Sequence, residues 1–144
     1  MAKKTIDIGA IQAAIAQYQR EREYQEAIRQ SNNEKIRRLQ YAKSIVTTAK
    51  QNVYQYRSEF YSVYSGIGND TRWTGNIKNN VHNCANYEIW NNYGTYYTNV
   101  DATLDAICDA ITQLENDNYQ RGLVIGGLLS QINSLANMIE KYWN

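Results

Sequence analysis

The 144-residue chain contains no proline, and its eight glycines all lie outside residues 10–65. Ordinary composition would place about 7 prolines in a chain of this length. So long a stretch without a helix breaker argues for helix rather than for strands and turns. Cysteine is scarce too: Cys84 and Cys108 stand 24 residues apart and form no CxxC or zinc-ligand spacing. Two separate reduced thiols on helices are expected. The one histidine, His82, makes an H-x-C with Cys84, but a metal site needs three or four ligands and nothing at suitable spacing joins them. No metal and no cofactor is expected, and without a converging acid–base set or a Gly-rich phosphate loop the sequence argues against an enzyme.

Neither sign of charge dominates. Fifteen Lys+Arg against 14 Asp+Glu leave +1, unlike the basic profile of a nucleic-acid binder. Mean hydropathy is -0.65. The longest unbroken apolar-or-glycine run, Gly122 to Leu129, is eight residues, where a membrane span needs about 18. A soluble chain without membrane insertion is expected. Lys3 and Lys4 look like the start of a signal peptide, but Asp7, Gln12 and Gln17 interrupt the apolar stretch that should follow. No Sec signal, and hence a cytoplasmic location, is expected.

What the chain does have is periodicity. Leu39, Ala42, Val46, Ala49, Val53, Tyr56, Phe60, Val63 and Ile67 step alternately by 3 and 4, the heptad signature of a helix that packs on another. Ile8, Ile11, Ile15 and Tyr18 begin the same stripe, which fades through Arg22, Gln25, Arg29 and Asn32 before Ile36 restores it. A second stripe runs Tyr97, Val100, Leu104, Ile107, Ile111, Leu114, Asn118, Arg121, Ile125, Leu128, Ile132, Leu135, Ile139, Tyr142. Unbroken, residues 97–142 would form about 69 Å of helix.

Between the stripes, residues 66–75 hold Gly-Ile-Gly-Asn-Asp-Thr-Arg-Trp-Thr-Gly, a dense cluster of turn-formers. The expected fold is all-α: one domain over 1–144, an elongated antiparallel helical hairpin. A first helix spans about 6–66, a turn 66–75, and a second helix about 72–90 continues or kinks into 95–142. Asp70 or Thr71 would cap the second helix, whose first face is Trp73, Ile77, Val81 and Cys84. Bends are expected near Asn91–Gly94 and across 118–127, where Asn118 and Arg121 precede Gly122, Gly126 and Gly127.

Charge is split between the halves. Residues 1–50 carry ten basic and five acidic groups, residues 51–144 five basic and nine acidic, so antiparallel helices attract. The acids at Asp101, Asp105 and Asp109 would face Lys43, Lys50 and Arg57, each exposed pair being worth at most about 1 kcal/mol. Tyrosine is abundant, 13 against a single Phe, a choice that suits surfaces alternately wet and covered.

At the turn, Trp73-Thr74-Gly75 is a W-x-G between two long helical segments. In this layout the chain resembles the WXG superfamily, and more specifically the small helical partners of LXG toxins in the type VIIb secretion systems of Gram-positive bacteria. The resemblance implies a targeting factor or chaperone that binds the N-terminal LXG domain of a toxin, covers its apolar stripe and presents it to the secretion machinery, with a second small helical partner as a further component. It implies co-export through type VII secretion and a role in interbacterial antagonism. Trp73 would pack across the helix ends while Gly75 permits a tight chain path. Tyr97-Thr-Asn-Val-Asp101 matches the Y-x-x-x-D export signal. The alternatives are a self-associating secreted WXG-type homodimer and a generic coiled-coil protein.

Two registers bear on the binding surface. A turn centred near 70 leaves the C-terminal stripe of Ile125, Leu128, Ile132, Leu135, Ile139 and Tyr142 for a partner helix. A turn near 82 would bring Tyr97 to Ile67 and leave Ile8, Ile11, Ile15 and Tyr18 projecting. Either leaves an apolar surface for heptad-like association.

Overall fold

The computed structural model describes residues 5–144; Lys3 and Lys4 lie outside the described residues. Those residues are all-helical, with no strand among them: α1 spans Ile8–Asn69, α2 Asn76–Asn83, a π-helical turn Cys84–Ile89, and α3 Trp90–Trp143. Asp7 sets the start of α1. Its carboxylate accepts a hydrogen bond from Ala10 N at 3.0 Å, and its carbonyl accepts from Ile11 N, satisfying donors that a helix start leaves free. At the other end α1 runs through Gly66 and Gly68. Gly68 makes room rather than a turn, since a Cβ there would lie 2.9 Å from His82 Nε2.

Residues 70–75 link α1 to α2 and contain Trp73, Thr74 and Gly75. Trp73 is 37 % exposed. Neither Asp70 nor Thr71 caps α2 as the sequence suggested; the capping position is Gly75, at φ 102° and ψ -172°. That backbone region is open essentially to glycine alone. Asp70 instead holds the link, its carboxylate accepting from Arg72 N at 2.9 Å and its carbonyl from Lys78 Nζ at 2.7 Å. Gly75→Ala is expected to lower unfolding free energy by about 1–2 kcal/mol, measured by urea denaturation. An unchanged midpoint would mean the link adopts another path at no cost.

The anticipated bends are displaced. α3 passes through 91–94 and 118–127 as continuous helix, and the irregularity lies upstream at Cys84–Ile89. Gly94 answers a different need, the close approach of Arg57 from α1, whereas at Gly122 a side chain would meet Arg29 only at ordinary contact distance. A Cβ on Gly94 would stand 3.0 Å from Arg57 Nη2, and one on Gly122 4.0 Å from Arg29 Cζ.

The chain forms two compact units, one made of the segment up to Arg38 with Ile111–Asn144, the other of Leu39–Ala110. In the second, Lys50 meets Asp101, Tyr54 meets Tyr97 and Tyr61 meets Trp90, so residue i faces residue 151 minus i in antiparallel fashion. In the first, Asn33 meets Asn118 by the same arithmetic. This register falls between the two anticipated ones, with its centre near Gly75. Tyr97 therefore lies on Tyr54, 6.3 Å between ring centroids, and not on Ile67.

The register changes the fate of both terminal stripes. Ile8, Ile11, Ile15 and Tyr18, and likewise Leu128, Ile132, Leu135 and Ile139, are half-buried. Neither set projects, because the intermediate register gives each a facing helix. Ile125 is 5 % exposed and belongs to the small core of the first unit with Ile111, while Tyr142 is 46 % exposed.

The two polar interruptions of the stripes meet in this unit. Asn32, 4 % exposed, donates to Asp117 Oδ2 at 2.7 Å and to Asn118 Oδ1 at 3.0 Å. Asn118 Nδ2 donates to Asn33 Oδ1, and Arg121 donates to both Asp117 and Gln25. A polar layer inside an apolar seam fixes register, since any slip strands buried donors and acceptors. The Arg121 guanidinium, then Asn32, hold the Asp117 carboxyl below its usual range. A carboxyl lowered on folding stabilises the fold above its unfolded pKa, and that contribution disappears as pH falls through the lowered value. Thermal melts from pH 5 to pH 2 should therefore show a decline that is shallower in Asp117→Asn; identical slopes would remove Asp117 from the linkage. Glu34, lowered to about 2 by hydrogen bonds from Arg37 and Arg38, adds a decline that salt screens and the substitution leaves in place.

Candidate docking surface

In the unit formed by Leu39–Ala110, the α1 stripe stays covered from Leu39 to Val53 and then leaves the contact line. Tyr56 and Val63 are 53 % and 60 % exposed, while Arg57 and Tyr64 take the half-buried positions beside Phe60. The cause is periodicity: a strict seven-residue repeat drifts by about 20° per heptad on a helix of 3.6 residues per turn. The sequence stripe therefore slides off the seam near its C-terminal end and reaches solvent.

The two flanks of this helix pair differ in chemistry. On one, Lys50 bridges Asp101, which holds the ammonium above its usual pKa, and lies over the Tyr97 ring at 5.4 Å. Arg57 Cζ lies over Trp90, 3.9 Å from the ring centroid, and Tyr61 and Tyr64 close round the same indole at 5.4 Å and 6.1 Å. Of the anticipated cross-helix pairs, Lys50 with Asp101 forms, whereas Arg57 chooses a ring over an acid. Tyr97 and Asp101 are thus engaged together on Lys50.

The other flank is open and nearly uncharged. Tyr56 and Val63 of α1 lie exposed there, and Ile77, Val81, Ile89 and Tyr96 on the second helical run are exposed as well. A cleft of about 380 Å³ lies among Phe60, Val63, Ile67, Val81, Cys84 and Ile89. The π-turn builds one wall. Residues five apart diverge by about 140° on a regular α-helix, but i→i+5 bonding turns Cys84 and Ile89 to one side. Cys84 is exposed and free, its thiol raised by the Glu88 carboxylate 3.6 Å away. His82 packs edge-on against Tyr64, so the H-x-C pair is divided between neighbours. Among the described residues no three His, Cys, Asp or Glu side chains group as a metal set.

Sequence reading located Tyr56, Val63 and Val81 but assigned them to a buried face, and it passed over Ile89. The usable signal was the unbroken heptad itself, whose exactness on a straight helix implies drift. Counting unbroken runs also understated α3. By length and composition the run Asn76–Trp143 is long and apolar enough to cross a membrane, with a mean hydropathy of 1.3 over its most apolar window. Beyond Gly122, however, Ser130, Asn133, Ser134 and Asn137 fall on the side opposite Leu128, Ile132, Leu135 and Ile139, the pattern of a helix with one apolar face.

The class is therefore all-α, built on two long helices that pair antiparallel within each unit. Family comparison matches residues 8–137 to the YwqH-like family, and the chain belongs to that family. No curated protein and no solved structure gives a significant match.

Proposed function

We propose that this chain is a non-catalytic helical partner that binds the N-terminal LXG domain of a type VIIb-secreted toxin and targets or chaperones it for export. The observation that carries the reading is the open flank, where Tyr56, Val63, Ile77, Ile89 and Tyr96 stand in solvent beside an apolar cleft. A patch of this kind on a soluble helical pair marks an interaction site, and a helix with a low-charge apolar stripe fits the groove. No large side chain is fully buried among the described residues.

Membership of the YwqH-like family and the W-x-G between long helices support the secretion setting, in which the chain leaves the cytoplasm with its toxin. An export receptor reading Tyr97 and Asp101 would first have to displace Lys50. The experiment is a tagged pull-down from the native cell with mass-spectrometric identification. Recovery of a toxin whose N-terminus is an LXG domain is the expected result; the chain alone, with the mass of a homodimer in light scattering, would replace this reading by self-association.

A further inference from the structure

Of the two arginines in the Leu39–Ala110 unit, Arg72 is held by Asp70, and Arg57 makes no hydrogen bond or ion pair among the described residues. Its Nε is buried without a partner. Its position is nevertheless defined: Cζ lies 3.9 Å from the Trp90 ring centroid, and Gly94 lacks the side chain that would crowd Nη2. The adjoining cleft, about 510 Å³, is lined by Asn91, Gly94, Thr95, Thr98 and Asn99, all uncharged. The nearest acid along α3, Asp101, is already taken by Lys50.

A guanidinium carries five donors; at Arg57 Nε is the buried one, and the two Nη groups are left to meet an acceptor from outside the chain. Stacking on an indole satisfies the face of the group and leaves its edge for an acceptor, while holding the fork in one orientation. A planar fork so held matches a carboxylate through two parallel N–H···O bonds. We propose that Arg57 is a receptor for a carboxylate, an Asp or Glu side chain presented by a second helix of the protein partner that lies along this flank, opposite the apolar cleft. With Nε buried, the carboxylate meets Nη1 and Nη2 end-on. The assignment rests on the partner reading above and adds to it the partner's chemistry at one point, an acid opposite residue 57.

Its test needs no partner. In the purified full-length chain, arginine side-chain ¹⁵N–¹H signals are followed as acetate is added against chloride at equal ionic strength, with inorganic phosphate in a parallel series. The Arg57 signal is expected to move saturably with acetate, several-fold further than that of Arg72, and the Trp90 indole signal to move with it. Arg57→Lys, verified as folded by circular dichroism, should abolish the indole response. Equal movement of Arg57 in acetate and chloride would overturn the proposal, and a response to phosphate alone would reassign the site to phosphate anions. Either result leaves the partner reading itself untouched.

Discussion

Val63→Asp combined with Ile89→Asp is expected to weaken binding of the chain to the proposed LXG-domain partner by at least about a hundredfold, with the helical fold intact. Both side chains are exposed, 60 % and 40 %, so the free chain loses little when they become charged, and surface changes of this kind usually stay within about 0.5 kcal/mol. In a covered complex the same aspartates would be buried without partners, at several kcal/mol for the pair. Titration calorimetry or co-elution of the co-expressed proteins measures the loss, and circular dichroism checks the fold. Leu123→Asp, on another exposed part of α3, serves as the control. Undiminished binding by the double variant would move the docking surface off the open flank.

Ile125→Ala is expected to reduce unfolding free energy by about 3 kcal/mol, the largest single-site effect on stability in the first unit. Ile125 is 5 % exposed in a unit whose other buried apolar side chain is Ile111, so the lost methylenes come from a core with little else to compensate. Truncation of a buried isoleucine costs about 2–5 kcal/mol, and the expected loss lies within that range. Met138→Ala, 43 % exposed on the same helix, should change stability by less than about 0.5 kcal/mol. Equal losses in the two variants would show that the apparent core of this unit is not where its stability resides. Melts in the presence of the partner should narrow the difference, since ligation of the native state adds stability by mass action.

Much of this architecture is legible in the residues. The missing prolines and the 3–4 spacing give helix length to within a few residues, and the turn-formers mark the link that the structure places at 70–75. The register is not legible from the apolar stripes, because a repeating stripe matches itself at every heptad. It is written in the exceptions. Asn32 and Asn118 each interrupt a stripe, and pairing them would have fixed the alignment. Gly94 was open to being read as a bend; that it is a seat for Arg57 needs the facing helix to be in place. The docking flank stayed hidden for a third reason: whether a heptad position faces inward after several repeats depends on how far the helix drifts, which residue types do not state.

The π-turn at Cys84–Ile89 has a bearing on which sequence changes this surface accepts. Swapping Cys84 or Ile89 for another apolar residue leaves the wall standing, whereas losing one residue between them would restore ordinary helical winding and swing Val81 by about 100° out of the groove. The spacing of this wall is thus under tighter constraint than its lettering. Homologues that dock the same helix should differ freely in which apolar residues they use here and agree in how many positions separate them.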